Sequence, residues 1–134
     1  MTGWIIDKSA FVRLNNSPDL PLWIERIDRG LVAITSISLL EIGFSARGAG
    51  DHFRLTRCGL AASLVPEFFT PAIEDRALDV QALLAAEGQH RAPSIPDLLI
   101  AATAELTNRT VLHLDKDFEL IASYTRQGVE RLRL

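Results

Sequence analysis

The sequence predicts one α/β domain across residues 1–134, with a short central parallel sheet and helices on both of its faces. Three observations lead there. Short apolar runs ending at polar or charged residues alternate with segments whose apolar residues recur at helical spacing. Strands separated by helices need crossover connections, which are right-handed and make the sheet parallel. The length, 134 residues, suits a single core, and a composition 48% hydrophobic and 23% charged is that of an ordinary globule.

Trp4, Ile5 and Ile6 form an apolar run that stops at Asp7, which reads as a buried first strand. Asp7 then opens a short helical turn through Phe11 and Leu14, ended by Asn15, Asn16, Ser17 and Pro18. Leu20, Trp23, Ile27 and Leu31 recur at helical spacing, predicting a helix over Asp19 to Arg29. A second strand follows over Leu31 to Thr35, and Ser36 or Ser38 caps a helix carrying Leu39, Leu40, Ile42 and Phe44. Phe53, Leu60 and Leu64 predict one amphipathic helix up to Pro66, with a third apolar segment at Phe68 and Phe69. Ile73, Ala77, Val80 and Leu84 mark the buried stripe of a helix that starts near Pro71. After a basic loop from Gly88 to Pro93, Ser94 caps a helix with Asp97 in its first turn. Thr110 to Leu114 is a fourth strand, Asp115 to Tyr124 a helix, and Glu130 to Leu134 a terminal strand. Phe44, Phe68 and Phe69 are read as core residues, Cys58 as a small buried hydrophobe and His113 as a structural histidine with its hydrogen bonds satisfied.

Several function classes drop out. There is no GxGxxG after the first strand and no GxxxxGK[ST], so dinucleotide and P-loop nucleotide sites lose their main support. One cysteine cannot form an internal disulfide or a multi-thiolate cluster, and the three histidines are scattered, so any metal would be held by oxygen. No apolar run is long enough for a membrane span, and no signal peptide is apparent, so a cytoplasmic protein is expected. A net charge of −3 argues against sequence-independent coating of nucleic acid. The twelve arginines against two lysines suit phosphate recognition but fit codon preference as well.

In open α/β sheets the ligand crevice lies beyond the carboxyl ends of the strands. Asp7, Glu41, Asp97 and Asp115, with Asp117 beside the last, all fall at such places. Each alone has a purely structural account. Asp7 and Asp115 suit helix N-caps, while Ser38 to Glu41 and Ser94 to Asp97 have capping-box spacing. Together they do not, because the sheet would gather them. Two carboxylates 4 Å apart repel by roughly 1 kcal/mol in water and about 4 kcal/mol at an effective dielectric of 20. Lys8 and Lys116 are the only cationic neighbours in sequence, so hard divalent cations, Mg²⁺ or Mn²⁺, are the natural counter-charge. Such ions can activate water for attack on a phosphodiester.

Asp7-x-Ser9 after an apolar strand, a lone Glu41 in an apolar helix, Asp97 leading into Leu98-Leu99-Ile100-Ala101-Ala102, and Asp115-x-Asp117-Phe118 resemble the PIN-domain ribonucleases, in particular the VapC-type toxins of bacterial toxin–antitoxin pairs. The resemblance runs over nearly the whole chain. It implies a PIN-like domain and a metal-dependent endoribonuclease that cleaves RNA by metal-activated water. It also implies a homodimer held inactive by a small cognate antitoxin. Carried over, Asp7, Glu41, Asp97 and Asp115 are the catalytic, metal-binding acids, Asp117 is an accessory ligand, and Ser9 orients Asp7 or a water. Lys8 and His113 depart from the family's pattern, each standing where threonine is common, and Lys8 is expected to compete with the cation. His90 and Arg91, in the loop before Asp97, are candidate RNA contacts, and Arg47, Arg54 and Arg57 could extend a groove.

Two rivals share this architecture. A non-catalytic RNA- or protein-binding module would keep acids only as caps, and retention of all four discriminates against it. A phospho-acceptor receiver domain would want paired acids after the first strand, where Ile5-Ile6-Asp7 offers one.

Overall fold

The computed structural model describes residues 3–134. Five parallel strands, β1 (Trp4–Ile6), β2 (Val32–Thr35), β3 (Val65–Glu67), β4 (Thr110–His113) and β5 (Val129–Arg131), lie in the order β3-β2-β1-β4-β5. From β1 the chain steps outward to β2 and β3, then crosses back to β4 and β5 on the other side. The succession therefore reverses between β1 and β4, and a crevice opens beyond their carboxyl ends.

The alternation of side chains along each strand fixes what covers each face. Ile5, Ala33 and Val111 point to a core completed by α6 (Pro71–Ala85), α7 (Ile95–Leu106) and α8 (Lys116–Thr125), through Val80, Leu84, Ile100, Phe118 and Ile121. Ile6, Val32, Ile34 and Leu112 point the other way, against α1 (Lys8–Phe11), α2 (Leu20–Asp28), α3 (Ser36–Phe44) and α5 (Gly59–Ser63), through Ala10, Trp23, Ile27, Ile42 and Leu60, with Leu64 just past α5. Both faces are covered by helices, as the alternating pattern requires. Two of the longer helices begin where a side chain satisfies a free amide: Thr70 accepts from the Ile73 amide at 3.2 Å, and Ser94 from the Asp97 amide at 3.2 Å.

Several local expectations are corrected. The third strand is Val65–Glu67, not Phe68–Phe69, and it includes Pro66. It is an edge strand, where a missing ladder donor is tolerated. The long amphipathic helix is two, α4 (Ala49–Arg57) and α5, because Gly59 takes a left-handed φ of +54°. Thr35, rather than Ser36 or Ser38, caps α3, accepting from the Ser38 amide at 3.2 Å, and the terminal strand starts at Val129. Phe44 and Phe68 are not core. Phe44 is 92% exposed on the last residue of α3 and Phe68 is 66% exposed just past the edge strand, while Phe69 does pack on the core. Cys58 is half-buried at the α4–α5 junction.

Gly3 is required by a close approach. A Cβ there would lie 2.0 Å from the Leu31 carbonyl oxygen, which already accepts the Trp4 amide at 2.8 Å. Gly3→Ala is expected to pry β1 from the residue preceding β2 and to lower unfolding free energy by about 1–3 kcal/mol, the usual cost of overpacking. Urea denaturation checks this; an unchanged midpoint would contradict the approach.

Candidate active site

Asp7 ends β1 and caps α1. It is 4% exposed, and its Oδ2 accepts from the Ser9 amide at 3.1 Å and from the Ser9 hydroxyl at 2.6 Å. The same Ser9 hydroxyl accepts from the Leu114 amide at 2.9 Å. One side chain thus ties the end of β1 to the end of β4. Across that tie the Asp115 carboxylate caps α8, accepting from the Asp117 amide at 2.9 Å, while its own amide donates to His113 Nδ1 at 3.1 Å. The turn from β4 into α8 is therefore pinned amide by amide.

Asp97 comes in from the start of α7. The capping box anticipated from Ser94 to Asp97 forms in one direction only: the Asp97 amide is satisfied by Ser94, but Asp97 Oδ2 is buried without a hydrogen-bond partner. An orphaned buried carboxylate oxygen is costly. Burial foremost, then a hydrogen bond shared with Asp115 and the charges of Asp7, Asp115 and Asp117, pushes the Asp97 carboxyl up to about 8. Oxygens of Asp97, Asp115 and Asp117 lie within 4.8 Å of one another. An all-oxygen set with one unpaired buried member fits a hard divalent cation such as Mg²⁺ or Mn²⁺.

Glu41 faces the same space from α3. It sits well past the first turn opened by Thr35, so it has no capping role, and the Ser38–Glu41 box does not form. Burial raises its carboxyl above the ordinary value, Asp7 adds to that, and Lys8 opposes it. Asp7, Lys8, Ser9, Glu41, Asp97 and Asp115 line a common pocket of about 290 Å³. A larger groove of about 400 Å³ between α3, α4 and β3 is lined mainly by apolar residues such as Leu39, Leu40 and Phe68 and holds none of these acids.

The structure thus brings Asp7, Ser9, Glu41, Asp97 and Asp115 together, with Asp117 beside Asp97 and Asp115. His90 and Arg91 are exposed in the loop between α6 and α7 and do not line the pocket. Arg47 and Arg54 are engaged by Asp51, which they hold at about 2, well below the usual carboxylate range. His113 is fully buried, and only half satisfied: Nδ1 accepts from Asp115, but Nε2 has no partner. Its part in fixing Asp115 was missed in the sequence, where the only signal was its position two residues before an acid at a strand end.

A sequence profile of the PIN domain matches residues 4–124. The chain belongs to the PIN-domain family. Within the family it is 58% identical over 129 residues to Ribonuclease VapC2 of Mycobacterium tuberculosis, covering 96% of this chain and 92% of that protein. It is 40% identical over 136 residues to Ribonuclease VapC21 of the same organism, covering 96% and 93%. A VapBC2 crystal structure from Rickettsia felis, bound to a promoter DNA fragment, superposes with a TM-score of 0.77 over 96% of this chain and 97% of that one. At 17% identity, that likeness shows the shared PIN fold.

The Asp97 environment sets a pH dependence. Its folded value, about 8, lies above the ordinary 3.8, so the stability associated with its protonated form is complete below about pH 4 and is lost as pH rises towards 8. In excess chelator, thermal unfolding should show stability falling across that window. Asp97→Asn should flatten the fall and be the more stable protein at pH 8, by more than about 1.4 kcal/mol, the equivalent of one pKa unit. Superimposable pH profiles would place the unfavourable charge elsewhere. Ser9→Ala removes both the donor to Asp7 and the acceptor for the Leu114 amide, and is expected to cost about 1–3 kcal/mol in chemical denaturation.

Proposed function

We propose that this PIN-domain chain is a metal-dependent endoribonuclease, the toxin of a type II toxin–antitoxin pair. The observation that carries the reading is the convergence of Asp7, Glu41, Asp97 and Asp115 on one pocket at the β1–β4 reversal, with one oxygen of the buried Asp97 carboxylate left without a partner. Helix capping does not explain that carboxylate, nor Glu41. The names of the curated relatives support ribonuclease activity.

Asp97, Asp115 and Asp117 would hold a Mg²⁺ or Mn²⁺ ion, with Asp7 adding negative charge from the β1 side, outside that group. When bound, such an ion supplies positive charge for a phosphodiester and makes water more acidic. The chain's own groups do the rest. Ser9 fixes the orientation of the Asp7 carboxylate through its hydroxyl and amide. His113 and Asp117 hold the β4–α8 turn so that Asp115 presents its free oxygen. Glu41, whose carboxyl is raised by burial, accepts the proton from the attacking water as its oxygen bonds to phosphorus, the P–O ester bond to the leaving sugar oxygen breaks, and that oxygen departs as a hydroxyl by taking a proton from solvent. The substrate is single-stranded or looped RNA, because an unpaired segment can enter a strand-end crevice and a duplex cannot. His90 and Arg91 extend this reading as outer phosphate contacts on the loop before α7.

The partner is an antitoxin protein, in keeping with the VapBC complexes among the structural neighbours, and the assembly is a cytoplasmic homodimer. Among the described residues, no helix is long and apolar enough to cross a membrane.

Two measurements test this. Saturating Mg²⁺ or Mn²⁺ should raise the melting temperature, by the equivalent of about 2.7 kcal/mol at a hundredfold excess over Kd. Asp97→Asn should abolish most of that rise. In RNA cleavage assays, Asp7→Asn and Asp97→Asn should each lose at least about 100-fold in rate, the scale of removing one charge-stabilising group. Both should stay folded, since asparagine caps α1 as well as aspartate at position 7 and at position 97 only removes a buried charge. Full activity in both variants would reduce the acids to caps and favour a non-catalytic binding module.

A further inference from the structure

Among the described residues, Lys8 is the one cation lining the acidic pocket. It follows Asp7 directly, on the first residue of α1, and is held half-buried there. It takes part in no ion pair among the described residues, although Asp7 and Glu41 line the same cavity. The pocket also divides unevenly. The oxygens close enough to share an ion belong to Asp97, Asp115 and Asp117, whereas Asp7 and Glu41, the acids on the Lys8 side, are outside that group. Lys8 acts on Glu41, lowering a carboxyl that burial and Asp7 raise.

An ammonium on a half-buried residue, without an ion-pair partner among the described residues and beside a cluster of carboxylates, has two consequences. It repels any divalent cation approaching the Glu41 side, and it offers three donors to an anion entering the pocket. We infer that Lys8 is a phosphate-binding residue of this site, contacting the RNA backbone phosphate directly and confining the divalent cation to the Asp97–Asp115–Asp117 side. This rests on the ribonuclease reading above and adds to it a residue that holds the substrate independently of metal.

The roles separate by experiment with Lys8→Met, which keeps the aliphatic stem and removes the charge, and Lys8→Arg, which keeps it. Binding of a short fluorescent single-stranded oligoribonucleotide is measured in excess EDTA across a salt series, and Mn²⁺ binding by calorimetry without RNA. For Lys8→Met the slope of log affinity against log salt should fall by about 0.7, the loss of one phosphate contact. Its Mn²⁺ affinity should rise, because a neighbouring positive charge is gone. Lys8→Arg should restore the wild-type slope, and wild type should bind one Mn²⁺ per chain. An unchanged slope in Lys8→Met, or unchanged or weaker Mn²⁺ binding, overturns the inference while wild-type cleavage keeps the ribonuclease reading intact. Wild-type protein that neither binds nor cuts RNA overturns both.

Discussion

Negative charge held beside negative charge, partly out of water, is the condition on which the functional end of this PIN domain depends. Asp7 and Asp97 are both nearly inaccessible, and Asp115 and Asp117 stand against them. Repulsion among such groups at an effective dielectric near 20 reaches several kcal/mol per close pair, so the framework has to resist their separation. Much of that resistance is short-range. The Ser9 hydroxyl clasps the ends of β1 and β4, and the amides of Leu114, Asp115 and Asp117 are each taken up by a nearby side chain. The rest is hydrophobic: α7 presents Ile100, Ala101, Ala102 and Ala104 to the sheet, so the helix that carries Asp97 cannot slide without opening the core.

His113 shows what this fixing costs. Accepting at Nδ1 requires the proton to sit on Nε2, which is buried with no acceptor. An unsatisfied buried donor is unfavourable by about 1–3 kcal/mol. Burial also depresses the basicity of the ring, which keeps it neutral and so keeps Nδ1 available to the Asp115 amide. A threonine at that position would satisfy itself more cheaply but would give up the aromatic packing on Phe118, whose ring centroid lies 5.4 Å away.

Much of this was legible in the sequence because the signals coincided with simple geometry. An apolar run ending in an acid identified both Asp7 and Asp115, since a parallel strand delivers the residue after it to the crevice. Asp97 was legible through its cap, Ser94, although the cap could not reveal that the carboxylate itself would go unpaired. Glu41 was found by pattern as one of the acids, and the structural alternative of a Ser38 capping box falls away because Thr35 rather than Ser38 starts the helix and places Glu41 deeper. Where the reading slipped, local rules were ambiguous. Pro66 argues against a strand unless the strand is at an edge, which only the tertiary pairing with β2 reveals. Phe44 obeys an apolar pattern yet sits on a terminal helical residue with nothing opposite it. The pairing of His113 with the Asp115 amide had no sequence signature at all.

The strand order also bears on when the acids can meet. β1 lies at the centre of the sheet, but one of its neighbours, β4, is contributed by residues more than a hundred positions later in the chain. Until β4 has left the ribosome, Asp7 has no Leu112 carbonyl to receive its amide, Ser9 has no Leu114 amide to accept, and Asp115 does not exist. At synthesis rates of about 5–20 residues per second, a growing chain spends several seconds with its first acid in place and its pocket unbuilt. Translation itself therefore postpones assembly of the site until β4 and the start of α8 have been made, and whatever chemistry the pocket performs cannot begin before then.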